Sequence, residues 1–165
     1  MSVLDLFRRP CLVDPRLGTL RFARKRWTSD NASCFGDHVV QLRIPGTRAG
    51  IDPQSRALLD ALERTYSSLQ SEMTAQFYEH YQGYDEAVEV IAELSVEAAS
   101  VIRGIHGPID LWPHIRLIRV WMNAYGRPGD VEFGYRTGWD IEHMIGVVVA
   151  KGRVADFCGS VGPWW

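Results

Sequence analysis

The densest group of reactive side chains in the chain is the run Trp139-Asp140-Ile141-Glu142-His143. It brings two carboxylates and an imidazole close together, and these groups ligate metals and carry out general acid/base catalysis. A metal site would use Asp140, Glu142 and His143 as ligands. An acid/base site would pair His143 with one of the two carboxylates.

The spacing of these residues favours a structural role. Adjacent side chains point to opposite sides of an extended strand, so Glu142 and His143 would diverge. No second ligand pair at a recognised spacing accompanies them. We therefore interpret Asp140 as a cap of the turn after Trp139, and His143 as a donor that fixes the start of the next strand. No metal and no cofactor is predicted.

Four glutamates form a second pattern of interest. Glu86, Glu89, Glu93 and Glu97 follow one another in steps of three and four, which places them on one exposed ridge of a helix. Two interpretations stay open. The ridge is either a solvated face, with Glu86 favourably near the helix N-terminus, or a docking surface for a basic protein.

The surrounding sequence predicts the elements that hold these groups. Asp52-Pro53 is a good helix start, and apolar residues at helical spacing follow until Gly83 interrupts them. We expect helices over about 53–81 and 86–103, and strands over about 10–45 and 115–158, where polar and apolar residues alternate. Lys151-Gly152 is the expected turn of a final hairpin, and Arg119 is expected on the polar face of its strand. The side chains expected to be buried include Leu62, Leu69, Met73 and Phe77 in the first helix and Leu94 in the second. The predicted fold is a single α+β domain, residues 1–165, in which an antiparallel sheet from both terminal segments packs against two central helices.

The charge distribution is uneven. Residues 1–50 carry a net charge of +5 and residues 51–103 carry −7, while the whole chain has −2 and a pI near 6.2. A basic stretch with Phe22 and Trp27, residues 21–27, resembles a nucleic-acid surface in composition. Because the central third is acidic, we interpret that stretch as a solvated ribbon facing acidic groups of the same protein, and expect no nucleic-acid partner.

The sequence also bears on location. It contains no apolar run long enough to span a membrane, its first residues lack the order of a signal peptide, and its three cysteines form no disulfide framework. We expect a cytoplasmic protein without a membrane partner. The terminal pair Trp164-Trp165 either folds back onto the core or contacts a partner.

The run from Thr137 to Val147, followed by Lys151-Gly152-Arg153-Val154, resembles the closing motif of an uncharacterised bacterial domain family, written W-D-x-E-H. The opening Leu17-Gly18-Thr19-Leu20 with Trp27 is similar to the start of that family. The resemblance implies a bacterial toxin-immunity module that binds a toxin and blocks it. It implies no catalytic residues.

Two hypotheses follow. The first is a non-enzymatic immunity protein that occludes a basic cognate toxin through Glu86, Glu89, Glu93 and Glu97. The alternative is a small enzyme or metal-dependent hydrolase organised around Asp140, Glu142 and His143.

Overall fold

A computed structural model describes residues 10–161, and the side chains of residues 10–159. The described chain is α+β, with nine strands and three α-helices. The strands are β1 (Cys11–Asp14), β2 (Gly18–Ala23), β3 (Arg26–Phe35), β4 (His38–Thr47), β5 (Gly50–Ile51), β6 (Ile115–Met122), β7 (Val131–Thr137), β8 (Met144–Ala150) and β9 (Arg153–Val161). The helices are α1 (Pro53–Glu86), α2 (Val88–Leu94) and α3 (Val96–Gly104).

All nine strands belong to one sheet, in the order β1-β2-β3-β4-β6-β7-β8-β9, with β5 paired to β4. The prediction of a purely antiparallel sheet is wrong at one place, because β4 and β6 run parallel, with Leu42 opposite Val120. Parallel neighbours require a long crossover connection, and the helical segment between β4 and β6 supplies it. The remaining pairs are antiparallel.

The helix boundaries differ from the prediction of helices over 53–81 and 86–103. Asp52 caps α1 as expected, because its side chain accepts a hydrogen bond from the Ser55 amide. However, α1 continues through Gly83 to Glu86, and the second predicted helix is divided in two at Ser95. A glycine inside a helix costs about 1 kcal/mol relative to alanine. Contacts of Tyr81 and Tyr84 on either side offset this cost.

The core lies between α1 and one face of the sheet. Leu62, Leu69, Met73 and Phe77, all expected to be buried, are at most 1% exposed. Phe77 meets the ring of Tyr135 on β7 edge-on, with their centroids 5.2 Å apart. We call the sheet face that contacts α1 the inner face, and the face turned away from it the outer face.

Ion pairs attach the β1–β2 turn to the first turns of α1. Arg16 contacts Asp60 at 2.5 Å and Glu63 at 2.7 Å, while Arg56 contacts Asp14 at 2.7 Å. Burial alone would raise the pKa of Asp14, but hydrogen bonds from Arg56 and from backbone amides outweigh it and hold that pKa below its ordinary value.

Among residues 10–161, no helix combines the length and the apolar character needed to cross a membrane. The pair Trp164-Trp165 lies outside the described residues.

Candidate functional site

A pocket of about 160 Å³ opens where the end of α1, the α2–α3 pair and the loop before β8 meet. Its lining is mostly apolar and includes the sequence motif singled out above. The lining residues are Tyr84, Ile91, Leu94, Ser95, Ala98, Trp139, Asp140, Ile141, Glu142 and His143. The structure thus brings residues of the W-D-x-E-H motif next to the glutamate-bearing helices.

Asp140 organises the loop on one side of this pocket. Its carboxylate is 4% exposed and accepts hydrogen bonds from the Tyr84 hydroxyl at 2.6 Å and from the amides of Glu142 at 3.3 Å and His143 at 3.0 Å. The His143 Nδ1 also lies 3.1 Å from Oδ1. A buried carboxylate requires such donors, because burying an unpaired charge is costly. Asp140 therefore connects α1 to the loop and fixes the loop's backbone.

Trp139 anchors the same loop in the core. Its side chain is 1% exposed, and its indole packs edge-on against Tyr81, with centroids 5.7 Å apart. The indole N–H donates to Nδ1 of His80 at 3.3 Å. Burial lowers the pKa of His80 below its ordinary value, although the charge of Asp140 opposes this. Neutral His80 is thereby available as the acceptor for Trp139.

Of the proposed metal ligands, Asp140 and His143 touch each other, whereas the hydrogen bond that joins Glu142 to Asp140 comes from the Glu142 amide. Within the described part of the chain, no three His, Cys, Asp or Glu side chains are grouped so that they could hold a metal ion. Ser95 Oγ, a possible nucleophile in the pocket, accepts from the Ala98 amide at 3.1 Å as the cap of α3 and lies 3.3 Å from Glu97.

The four glutamates are all exposed, but they do not form one ridge of a single helix. Glu86 ends α1, Glu89 and Glu93 lie on α2, and Glu97 lies in the first turn of α3. Glu86 is therefore near a helix C-terminus, where a negative charge is unfavourable, and not near an N-terminus as expected. Glu89 forms an exposed ion pair with Arg103 at 3.0 Å.

Large apolar side chains are exposed among these glutamates. Leu94 is 81% exposed, and Val90, Val96 and Ile141 are each more than 60% exposed. Leu94 was expected on the buried face of a continuous helix. Because Ser95 adopts an extended conformation that ends α2 and begins α3, the helical periodicity restarts there, and Leu94 is exposed at the pocket.

We define the acidic-apolar surface as the exposed glutamates and large apolar residues of the segment 86–97 together with Ile141 and Glu142; of these, Leu94, Ile141 and Glu142 line the pocket. Its members are Glu86, Glu89, Val90, Glu93, Leu94, Val96, Glu97, Ile141 and Glu142.

The outer face of the sheet holds a charged cluster that the sequence reasoning missed. Arg119 on β6 and Glu132 on β7 form an ion pair in which both side chains are 3% exposed. The Arg119 and Arg43 guanidinium carbons lie 4.0 and 4.1 Å from the Trp121 ring centroid. Gly134 leaves room for Arg119, since a Cβ there would lie 3.1 Å from its Nε. The alternation in β6 placed Arg119 on a polar face, but it did not indicate burial.

The fold defines an α+β domain with a large mixed sheet and a pocket beside its helical segment. The chain belongs to the family described as "Domain of unknown function (DUF6985)", whose model matches residues 16–163. The expectation of an uncharacterised domain family is confirmed at that level. No curated protein and no solved structure matches the chain.

Proposed function

We propose that this chain is a non-enzymatic protein-binding module, an immunity protein that captures a basic toxin through its acidic-apolar surface. The observation that carries the proposal is Leu94. It is 81% exposed at the rim of an apolar pocket and lies between Glu93 on α2 and Glu97 on α3. Exposed apolar side chains that are grouped, as Leu94 is with Val90, Val96 and Ile141, are typical of a surface that a partner buries.

The surface combines the two features of a protein interface. Burying the apolar side chains around the small pocket against a partner removes them from water, which stabilises the complex. Apolar side chains at the centre of an interface contribute most of the binding free energy. Charged residues at the rim of an interface speed the approach of a partner of opposite charge and disfavour partners of like charge. Glu93, Glu97 and Glu142 are exposed at or beside the pocket, so the matching partner presents lysines or arginines around an apolar side chain.

The toxin component of the proposal rests on the family resemblance at both ends of the chain. A surface that binds a basic protein is consistent with an immunity role, since an immunity protein acts by covering the active or entry region of its toxin. We place this action in the cytoplasm of a bacterium, where the toxin would otherwise act.

The alternative function is a small hydrolase organised around Asp140, Glu142 and His143, and one observation favours it. The Asp140–His143 contact of 3.1 Å lies in the same pocket as the Ser95 hydroxyl. Against it, Asp140 already accepts from Tyr84 and two backbone amides, and Ser95 serves as a helix cap. Hydrolysis of a chromogenic ester by purified protein, abolished in His143→Ala, would establish this alternative.

The proposal is tested by affinity capture from the native bacterial lysate with three immobilised baits. They are the unaltered chain, the variant Glu93→Lys/Glu97→Lys, and the control Glu79→Lys, which makes one of the same charge reversals at an exposed position of α1. We expect one basic protein to be retained by the first and third baits and lost from the second.

That protein must then behave as a toxin. Expressed alone it should arrest growth, and co-expression of this chain should restore growth, whereas co-expression of Glu93→Lys/Glu97→Lys should not. Equal retention of every protein by all three baits would contradict the proposed surface. A retained protein that has no effect on growth would contradict the immunity role.

A further inference from the structure

The outer face of the sheet is basic, in contrast to the acidic-apolar surface. From β2 to β7 this face carries six arginines: Arg21, Arg26, Arg43, Arg116, Arg119 and Arg136. Two acidic side chains accompany them, Asp30 near Arg43 and Glu132 paired with Arg119. An excess of one sign of charge on one face creates a positive potential that attracts anionic ligands.

Two observations show that positive charges lie close together on the outer face. Arg116 and Arg136 are direct cross-strand partners on β6 and β7, a position in which like charges destabilise a sheet. Burial lowers the pKa of Arg43, and the charges of Arg119 and Arg26 lower it further. In the described part of the chain, no carboxylate lies within ion-pair distance of Arg21, Arg43, Arg116 or Arg136.

Arg43 is held in place at the centre of this face. It stands opposite Thr28 on β3 and opposite Trp121 on β6, and its guanidinium lies over the Trp121 ring. It is only partly buried, so part of its side chain is accessible to solvent. Guanidinium planes of this kind stack on unpaired nucleic-acid bases and donate hydrogen bonds to phosphate.

We propose that the outer face binds single-stranded nucleic acid, with a base stacked on Arg43 and phosphates held by Arg21, Arg116 and Arg136. The strand would cross the sheet from β2 to β7, four inter-strand steps of about 4.8 Å each. That length suits the shorter single-strand sites, about four nucleotides. A purely acidic peptide lacks the flat base that Arg43 would stack on, so nucleic acid matches the face better.

The expectation of no nucleic-acid partner rested on the overall pI and the acidic central third. The fold removes that objection, because the acidic segment forms the helices, and α1 packs on the inner face, away from Arg43. The outer face and the acidic-apolar surface are made of different residues. Nucleic-acid binding can therefore be tested separately from the proposed immunity function, and the failure of one would not contradict the other.

The test is fluorescence anisotropy of a labelled twelve-nucleotide oligo-dT titrated with the full chain. We expect saturable binding that weakens about tenfold between about 50 and 200 mM salt, as contacts to two or three phosphates require. Arg21→Glu/Arg136→Glu, which changes two exposed residues, should abolish binding. Arg64→Glu, at an exposed position of α1, is the control and should bind like the unaltered chain.

A second variant separates stacking from charge. Arg43→Lys keeps the positive charge but removes the guanidinium plane, and it should weaken oligo-dT binding about tenfold, the scale of one lost base stack. Circular dichroism of each variant shows whether the fold is kept. Labelled poly-glutamate is the competing probe. Absence of oligo-dT binding, equal affinity for poly-glutamate, or unchanged affinity in Arg21→Glu/Arg136→Glu would overturn the proposal.

Discussion

Tyr84 near the end of α1 donates a 2.6 Å hydrogen bond to Asp140, which lies 56 positions further along the chain. This bond joins the helical segment to the loop that carries the W-D-x-E-H motif. Because Asp140 also accepts from the amides of Glu142 and His143, one buried carboxylate determines how the loop meets the pocket. The motif thus has a structural task in addition to any role in binding.

Removing this hydrogen bond should destabilise the protein. Tyr84→Phe leaves a buried carboxylate short of one donor, and we expect a loss of about 1–3 kcal/mol in the free energy of unfolding. Urea denaturation followed by tryptophan fluorescence measures it. Tyr78→Phe is the control, since the Tyr78 hydroxyl makes no hydrogen bond to the described residues. Equal stability of the two variants would mean that the Tyr84–Asp140 bond contributes nothing.

The exposure of Leu94 predicts a residue kept for binding and not for folding. Leu94→Ala should change the free energy of unfolding by less than about 0.5 kcal/mol, as surface substitutions do. Leu62→Ala, in the core at 1% exposure, should cost about 2–5 kcal/mol. Thermal unfolding of both variants checks the contrast. A large stability loss in Leu94→Ala would show that Leu94 is part of the core.

The buried ion pair on the outer face should respond differently to single and double substitution. Arg119→Met leaves Glu132 buried without its arginine partner, and we expect a loss of about 3–5 kcal/mol in unfolding free energy. Arg119→Met/Glu132→Leu removes both charges and should recover most of that loss. Chemical denaturation of the three proteins measures the difference. A double variant less stable than the single one would contradict this account.

The half-buried His80 predicts a pH dependence. Burial lowers its pKa below the ordinary 6.5, so the unfolded chain binds a proton at a higher pH than the folded chain does. Stability should therefore fall as the pH drops through 6.5 towards the lowered pKa. Burial and Arg116 lower the pKa of His38 as well, which adds an effect of the same sign.

Urea denaturation at pH 7.5 and pH 5.5 tests this dependence. The loss of stability on acidification should be smaller in His80→Gln, whose amide oxygen can still accept from the Trp139 indole. An identical loss in the variant would show that His80 does not cause it.

The sequence predicted those parts of the fold that depend on local patterns. The turn residues Lys151-Gly152 between two strand-like segments predicted the final hairpin, and Asp52-Pro53 predicted the start of α1, since both signals lie within a few residues. The parallel pairing of β4 and β6 was missed, because it joins segments separated by three helices. Pairings of this kind leave no mark in either strand alone.

The helix boundaries differ from the prediction at two residues that can end a helix, Gly83 and Ser95. Gly83 predicts a helix end, but its cost of about 1 kcal/mol is small beside the contacts of Tyr81 and Tyr84, and α1 continues through it. Ser95 was passed over, although its hydroxyl caps α3 and serine is a favoured N-cap. Without a helix break at Ser95, the sequence pattern places Leu94 in the core, and the apolar part of the acidic-apolar surface is not predicted.

The central claim is that the acidic-apolar surface binds a basic protein, and isothermal titration of the purified captured partner tests it most directly. We expect Leu94→Ala to weaken binding by about thirtyfold, as loss of a 2 kcal/mol anchor does, and Glu93→Lys/Glu97→Lys to weaken it at least tenfold. Glu79→Lys should bind like the unaltered chain. Unchanged affinity in both Leu94→Ala and Glu93→Lys/Glu97→Lys would contradict the claim.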